Sequence, residues 1–392
     1  MRRTRVATAA VCAALMVVAP AVAVAAPAPV VAAQEQVAAT KIASMSRAEV
    51  AAYLTGYELD AGAVRHGVDL YRMTYRTRGV DGRPTTATAL VAVPRGAGPG
   101  RPTVAWLHGT RANRDDTGSM SDNLDRAAAV QFATAGHVTV APDYLGLGEG
   151  PGTHPYMISK PTVTASLDAL RAASGLARLD RRVLVTGFSQ GGQASMLVAR
   201  ALQRDPHFRL GAVASISGPL DIRGAELPAA LDGRLDGLSA TLYLGYAMVA
   251  WNREYHLWDD PAEAFQAPYD QMMDTLFNSD TPEQDIVTSL PGSPEELFTT
   301  AFLAELRHPT GTLARVLRTN DDACRDWRPR VPVRLYTSTG DGDVAIANTL
   351  NCRDQLAESG VRASVVNLGD IDHVTAGRTA VPRVLAWFEQ VD

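Results

Sequence analysis

Gly187-Phe188-Ser189-Gln190-Gly191 is the stretch whose reading decides the fold. It follows Arg182-Val183-Leu184-Val185-Thr186, an apolar and β-branched run that reads as a buried strand. It opens into Gly192-Gln193-Ala194-Ser195-Met196-Leu197-Val198-Ala199, a small-residue run with helical character. The local order is strand, sharp turn, helix, with a serine at the apex. Glycines flank that serine because so tight a turn leaves no room for Cβ atoms beside it. The turn is expected to push the Ser189 hydroxyl into solvent. It also sets the Gln190 N–H at a helix N-terminus, where it can stabilise negative charge.

Outward from this point, strand and helix patterns alternate. Alternating runs at 69–76 and 85–93, joined through Val80-Asp81-Gly82-Arg83-Pro84, read as an antiparallel pair. Strands are expected at 103–107, 137–141, 183–188, 210–216, 332–336 and 362–366. Helices are expected at 46–54, 122–135, 162–173 and from Ser189 to about 203. Ser46 and Glu49 have capping-box spacing at the start of the first helix. The alternation predicts an α/β protein with a mostly parallel central sheet and helices on both faces. Residues 219–318 break it, with prolines at 228, 261, 268, 282, 291, 294 and 309 and a high aromatic content. There is no internal repeat.

The Gly-x-Ser-x-Gly turn between strand and helix resembles the nucleophile elbow of the α/β-hydrolase family, and the likeness runs from about residue 70 to the end. The resemblance implies an α/β-hydrolase fold in which 46–218 and 319–392 form the core. The segment 219–318 would be a helical cap inserted between the sixth and seventh expected strands. It also implies a nucleophile, an acid and a base in the order Ser189, Asp341, His373. A serine hydroxyl attacks only when a neighbouring base takes its proton, and a carboxylate holds that base in the right tautomer. His373, in Gly369-Asp370-Ile371-Asp372-His373, follows the last strand, where the family carries its base on a loop. The acid follows the seventh strand in Gly340-Asp341-Gly342-Asp343-Val344-Ala345. The family register selects Asp341, but Ala345 replaces the usual proline, so Asp343 stays open as the acid.

Two donors must meet the oxyanion. The resemblance assigns them to the Gln190 N–H and to the Thr110 N–H in Trp106-Leu107-His108-Gly109-Thr110. There Gly109 would permit close backbone approach and His108 would shape the loop. Pro142-Asp143-Tyr144-Leu145-Gly146-Leu147-Gly148 resembles the glycine-rich loop many hydrolases carry after the fourth strand, with Asp143 tying it down. The following Gly152-Thr153-His154-Pro155-Tyr156 is expected at the pocket rim. Together these short motifs are more similar to exported lipase-like esterases than to peptidases. Most cap aromatics are expected to fill the cap's own core, with a few facing an apolar substrate.

The chain begins Met1-Arg2-Arg3-Thr4-Arg5, followed by an apolar run to about Ala26. A basic start, an apolar centre and Ala23-Val24-Ala25 describe a signal peptide at 1–25, with a second cleavage site as late as Ala33, or else a membrane anchor. Residues 26–45 read as a flexible leader. Cys12 falls in the apolar run; the remaining pair, Cys324 and Cys352, suggests one disulfide in an exported chain, enclosing Asp341. The net charge of −5, with acidic and basic residues interspersed, gives no footprint for nucleic acid. No further apolar stretch reaches membrane-spanning length, and no metal or organic cofactor is implied.

The expectation is a secreted serine hydrolase acting on small-molecule or lipid-like carboxylic esters. An exported peptidase or amidase of the same fold, and a non-catalytic binding protein, are the alternatives. Oligomeric state is not legible in the sequence.

Overall fold

The structure is a computed structural model that describes residues 38–98, 100–321 and 323–391. The expected signal peptide at 1–25 and most of the expected leader lie outside these residues. Residues Ala38–Met45, expected to belong to a flexible leader, instead form strand β1, antiparallel to β2 (Val68–Arg78). The correction has a plain cause. Short alternating side chains suit an edge strand, and the ladder is supplied by β2 rather than by the segment's own propensity. The strands continue as β3 (Pro84–Pro94), β4 (Thr103–Leu107), β5 (Thr139–Pro142) and β6 (Arg182–Phe188). They end with β7 (Arg209–Ile216), β8 (Val333–Thr337) and β9 (Ser364–Asn367).

Together they make a nine-stranded sheet in the order β1-β2-β3-β5-β4-β6-β7-β8-β9. The first three strands are antiparallel, as is the β3–β5 pair, while β5, β4, β6, β7, β8 and β9 run parallel. Parallel strands need crossovers, and the helices that provide them cover both faces. One face packs against α3 (Ser159–Ala173) and α4 (Gln190–Leu202), through residues such as Ala165, Val198, Val185 and Leu335. The other packs against α1 (Arg47–Gly56) and α2 (Leu124–Thr134), through Val50, Phe132 and Trp106. The Ser46–Glu49 capping box is formed at the start of α1. This is the expected α/β-hydrolase layout.

Between β7 and β8, the sixth and seventh strands of the expected count, lies a run of helices. It begins with a π-helical turn (Ile222–Glu226) and continues as α5 (Leu227–Leu231), α6 (Gly237–Tyr255) and α7 (Pro261–Ala264). There follow α8 (Met273–Leu276), α9 (Glu283–Ser289), α10 (Pro294–Leu297), α11 (Thr300–Arg307) and α12 (Gly311–Asn320). This insertion has its own hydrophobic cluster, centred on Trp258, Phe265, Phe277, Phe298 and Phe302. Its two ends are tied together at the sheet. Asp321 accepts hydrogen bonds from the Ile222 N–H and from the Arg223 Nε, and Asp221 accepts from Arg325 and Asn351. The chain closes with α13 (Ala347–Glu358) and α14 (His373–Val391).

The candidate active site

The elbow forms as the sequence requires. Ser189 follows β6 with φ 57° and ψ −121°, a left-handed backbone that a side-chain-bearing residue holds only when its surroundings over-determine it. Its N–H donates to the Ile216 carbonyl at 2.9 Å, and α4 starts at the next residue. The crowding behind the glycines is severe. A Cβ on Gly187 would lie 2.3 Å from the Gly191 carbonyl oxygen, and one on Gly191 would lie 1.9 Å from that of Leu107. Gly109 is different, because its Cβ would meet Phe188 and Ser189 at 3.4–3.5 Å, ordinary contact. Glycine there is not forced by closeness, contrary to the expectation, although the same distances put Gly109 beside Ser189.

Ser189 does not project into open solvent. It is only 6% exposed and lines a cleft roofed by the helical insertion. The cleft walls are largely apolar, with Ile222, Leu244, Ala247, Trp251 and Leu313 among them. Thr110 and Gln190 line it beside the serine. Gln190 is the first residue of α4, so its N–H is one of those a helix leaves without an internal partner. Of the ten aromatics in residues 219–318, Tyr243 and Trp251 reach the cleft, and the fully buried Phe265, Phe277 and Phe298 belong to the insertion's own core.

Histidine and acid come together. His373 Nδ1 lies 2.8 Å from Asp341 Oδ2 and 2.9 Å from Oδ1, both groups buried. His373 is the first residue of α14 rather than part of a free loop, so the helix fixes its position. The Phe188 ring, one residue before the serine, packs against the imidazole with centroids 4.6 Å apart. Nε2 of His373 is buried and makes no hydrogen bond, Ser189 Oγ included; such bonds commonly tighten only around substrate. Burial disfavours the imidazolium. The Asp341 hydrogen bond and the negative charges of Asp341, Asp343 and Glu226 outweigh it, holding His373 above its ordinary value.

Asp341 Oδ1 also accepts from the N–H groups of Asp343 and Val344, which fold the acid loop around it. Asp343, the alternative acid, is engaged by the insertion instead. It accepts from Ser239 Oγ at 3.0 Å and from the Tyr243 hydroxyl at 2.9 Å, both on α6. The Cys324–Cys352 disulfide is present, spanning β8 and the acid loop with Cα atoms 5.3 Å apart.

Supporting residues appear that the motifs pointed to only in part. Of the stretch 152–156 expected at the rim, Tyr156 lines the cleft, while His154 is fully buried. Its Nδ1 donates to the Leu145 carbonyl at 2.9 Å, so Nε2 is left to accept from the Gln190 side-chain amide at 3.0 Å. Burial pushes its pKa down to about 3, which keeps it neutral. Both nitrogens of His108 face carbonyls, of Gly109 and Asp143, consistent with a loop-shaping role. The Asp143 carboxylate accepts from the hydroxyls of Thr88 and Ser119, so it anchors its loop chiefly through side chains rather than backbone amides. Glu226, inside the insertion and outside every motif, lines the cleft near the acid loop. Among the described residues no cluster of three or more metal-ligating side chains occurs, and no helix is long and apolar enough to cross a membrane.

No protein-family model matches the chain, and no curated protein sequence does. Solved structures do. A protein named as a hydrolase from Legionella pneumophila subsp. pneumophila is 25% identical with a TM-score of 0.84, over 91% of this chain and 98% of that one. The rice cell wall degrading esterase LipA from Xanthomonas oryzae is 25% identical with a TM-score of 0.80, over 90% and 97%. Candida antarctica lipase A in its closed state, at 12% identity and a TM-score of 0.65 over 90% and 81%, shares the fold. Sheet order, elbow and neighbours together give this chain the α/β-hydrolase fold, in the form its hydrolase and esterase neighbours share.

Proposed function

We propose that the protein is an exported serine hydrolase that cleaves carboxylic esters through an acyl-enzyme. The observation that carries this reading is a strained serine opening onto an apolar cleft, with a histidine–aspartate pair packed against its elbow. Ser189 Oγ attacks the ester carbonyl while His373 Nε2 takes its proton. The N–H groups of Gln190 and Thr110 hold the oxyanion, and His373 returns the proton to the departing alcohol. Water then repeats the sequence on the acyl-enzyme, freeing the acid and the serine. Asp341 keeps the imidazole in the Nδ1–H tautomer and stabilises its charged form.

Ester rather than amide substrates are favoured by the cleft, whose wall is largely apolar and whose lining, among the described residues, has Glu226 as its charged side chain and no cation for a peptide's carboxyl end. Export is supported by the N-terminal basic-then-apolar run and by the disulfide, a bond that persists in oxidising compartments. The test is labelling by a fluorophosphonate probe together with paired assays on p-nitrophenyl esters and aminoacyl anilides. Labelling that disappears in Ser189→Ala, with ester turnover, is expected. Equal labelling of Ser189→Ala would reject the nucleophile, and anilide turnover without ester turnover would make the enzyme an amidase.

A further inference from the structure

Glu226 is a carboxyl group at the cleft that the proposed mechanism does not use. It ends the π-helical turn that opens the insertion and lines the cleft with Ser189, Leu227 and Val344. Both hydrogen bonds of its carboxyl run to one oxygen. Oε2 accepts from the Ala345 N–H at 3.1 Å and from Asn348 Nδ2 at 2.5 Å. These bonds fix the side chain against the acid loop and leave Oε1 uncommitted among the described residues. A carboxyl group in a hydrocarbon wall is costly unless something satisfies it.

The chemistry of that something is constrained. Burial pushes Glu226 up to about 7, against the pull of its two hydrogen bonds, with Asp341 adding to the rise and His373 opposing it. Near neutrality both forms are populated. A hydroxyl suits both, donating to the carboxylate or accepting from the acid. An ammonium group would suit only the ionised form and would have to shed its water among leucines. A purely alkyl substrate would leave Oε1 facing methylene groups.

We propose that Glu226 selects esters that carry a hydroxyl group on an otherwise apolar body, binding that hydroxyl through Oε1. This inference rests on the ester-hydrolase reading above. It makes Glu226 a specificity-determining residue, separate from the residues that carry the reaction.

The experiment compares kcat/KM across two matched series. In one, a hydroxyl is walked along the acyl chain of p-nitrophenyl hexanoate; in the other, along the alcohol of butyl hexanoate. At least one hydroxylated isomer is expected to exceed its parent by roughly 10-fold, the worth of one hydrogen bond to a charged or strongly polar group. Glu226→Leu should erase that ratio, and Glu226→Gln should retain part of it. No preference in the wild type, the same preference in Glu226→Leu, or a preference for amino-substituted isomers overturns the inference.

Should Glu226→Leu fail to fold, the wild type answers alone. A trifluoromethyl ketone bearing the favoured hydroxyl should inhibit roughly 10-fold more tightly than its parent, and equal inhibition overturns the inference. Fluorophosphonate labelling separates the two levels. A protein that takes the probe but shows no hydroxyl preference loses this inference alone. A protein that takes no probe and turns over no ester loses the hydrolase reading as well.

Discussion

The Tyr243 hydroxyl donates a hydrogen bond of 2.9 Å to Asp343 Oδ2, joining α6 of the insertion to the loop that carries Asp341. Asp343 is thereby occupied with the insertion, and Asp341 is left to His373. Asp341→Asn is therefore expected to lower kcat by on the order of 10⁴-fold, since the asparagine cannot hold the imidazole in the working tautomer. Asp343→Asn should cost less than roughly 10-fold and about 1 kcal/mol of stability, as one strong acceptor is weakened. Steady-state kinetics on one ester with both variants decides this. The reverse ranking would make Asp343 the acid.

The pH dependence of activity follows from His373 and Glu226. Catalysis needs neutral imidazole, and His373 is held above its ordinary 6.5, so kcat/KM should rise with pH through a midpoint above that value. The Glu226 carboxylate is one of the charges that hold it there. Glu226→Gln removes that charge, so the acid limb of the profile should move toward lower pH. For stability the sign is opposite. The raised His373 contributes fully below 6.5, and the contribution is lost as pH climbs through the folded value. A profile unmoved by Glu226→Gln would show that the two groups do not communicate.

His154 predicts a second linkage, with the other sign. Its folded pKa of about 3 lies far below 6.5, so the native state refuses a proton that the unfolded chain accepts. Its contribution is complete above 6.5 and is lost progressively as pH falls toward 3, on the order of several kcal/mol in total. Urea unfolding from pH 7 down to 4 should show a shallower decline in His154→Gln than in the wild type. The same variant frees the Gln190 side chain and should lower kcat.

The glycines separate sterically. Gly191→Ala would drive a Cβ into the Leu107 carbonyl at 1.9 Å, against which a helix-propensity gain of about 1 kcal/mol is too small; loss of folded protein is expected. Gly109→Ala meets only ordinary contacts and should fold, with a melting temperature close to that of the wild type. Thermal unfolding of the two variants measures the contrast.

The Cys324–Cys352 bridge closes a loop with a sequence separation of 28. On the chain-entropy account its loss costs about 3–4 kcal/mol. Because that loop contains Asp341, the double Cys→Ala variant should lose activity at a lower temperature than the wild type. Residual activity measured after graded heating tests this.

What the sequence made legible is what local patterning controls. Val183–Phe188 and Leu210–Ile216 are β-branched or apolar runs with turn residues at their ends, and they lie in β6 and β7 as expected. Ser189 was legible because the glycines it needs stand beside it in the chain. Which of Asp341 and Asp343 pairs with His373 was not, because Asp343 is engaged by Ser239 and Tyr243, about a hundred residues earlier. Ala38–Met45 was hidden because a strand that depends on its partner's ladder can share the composition of a leader. Glu226 had no signal at all: an isolated acid in a helical insertion acquires meaning only from the Ala345 and Asn348 groups the fold brings to it.

The start of α6 is also pinned, since the Asp236 N–H donates to the Gly342 carbonyl at 2.8 Å. With the Ser239 and Tyr243 bonds to Asp343, three fasteners hold one end of the roof to the strip of backbone that aims the imidazole. Swinging that end outward as a rigid body would break all three and disturb Asp341 in the same motion. A door that is bolted along the side of Asp341 can admit a guest without shifting that carboxylate only if it pivots there and yields at the opposite jamb.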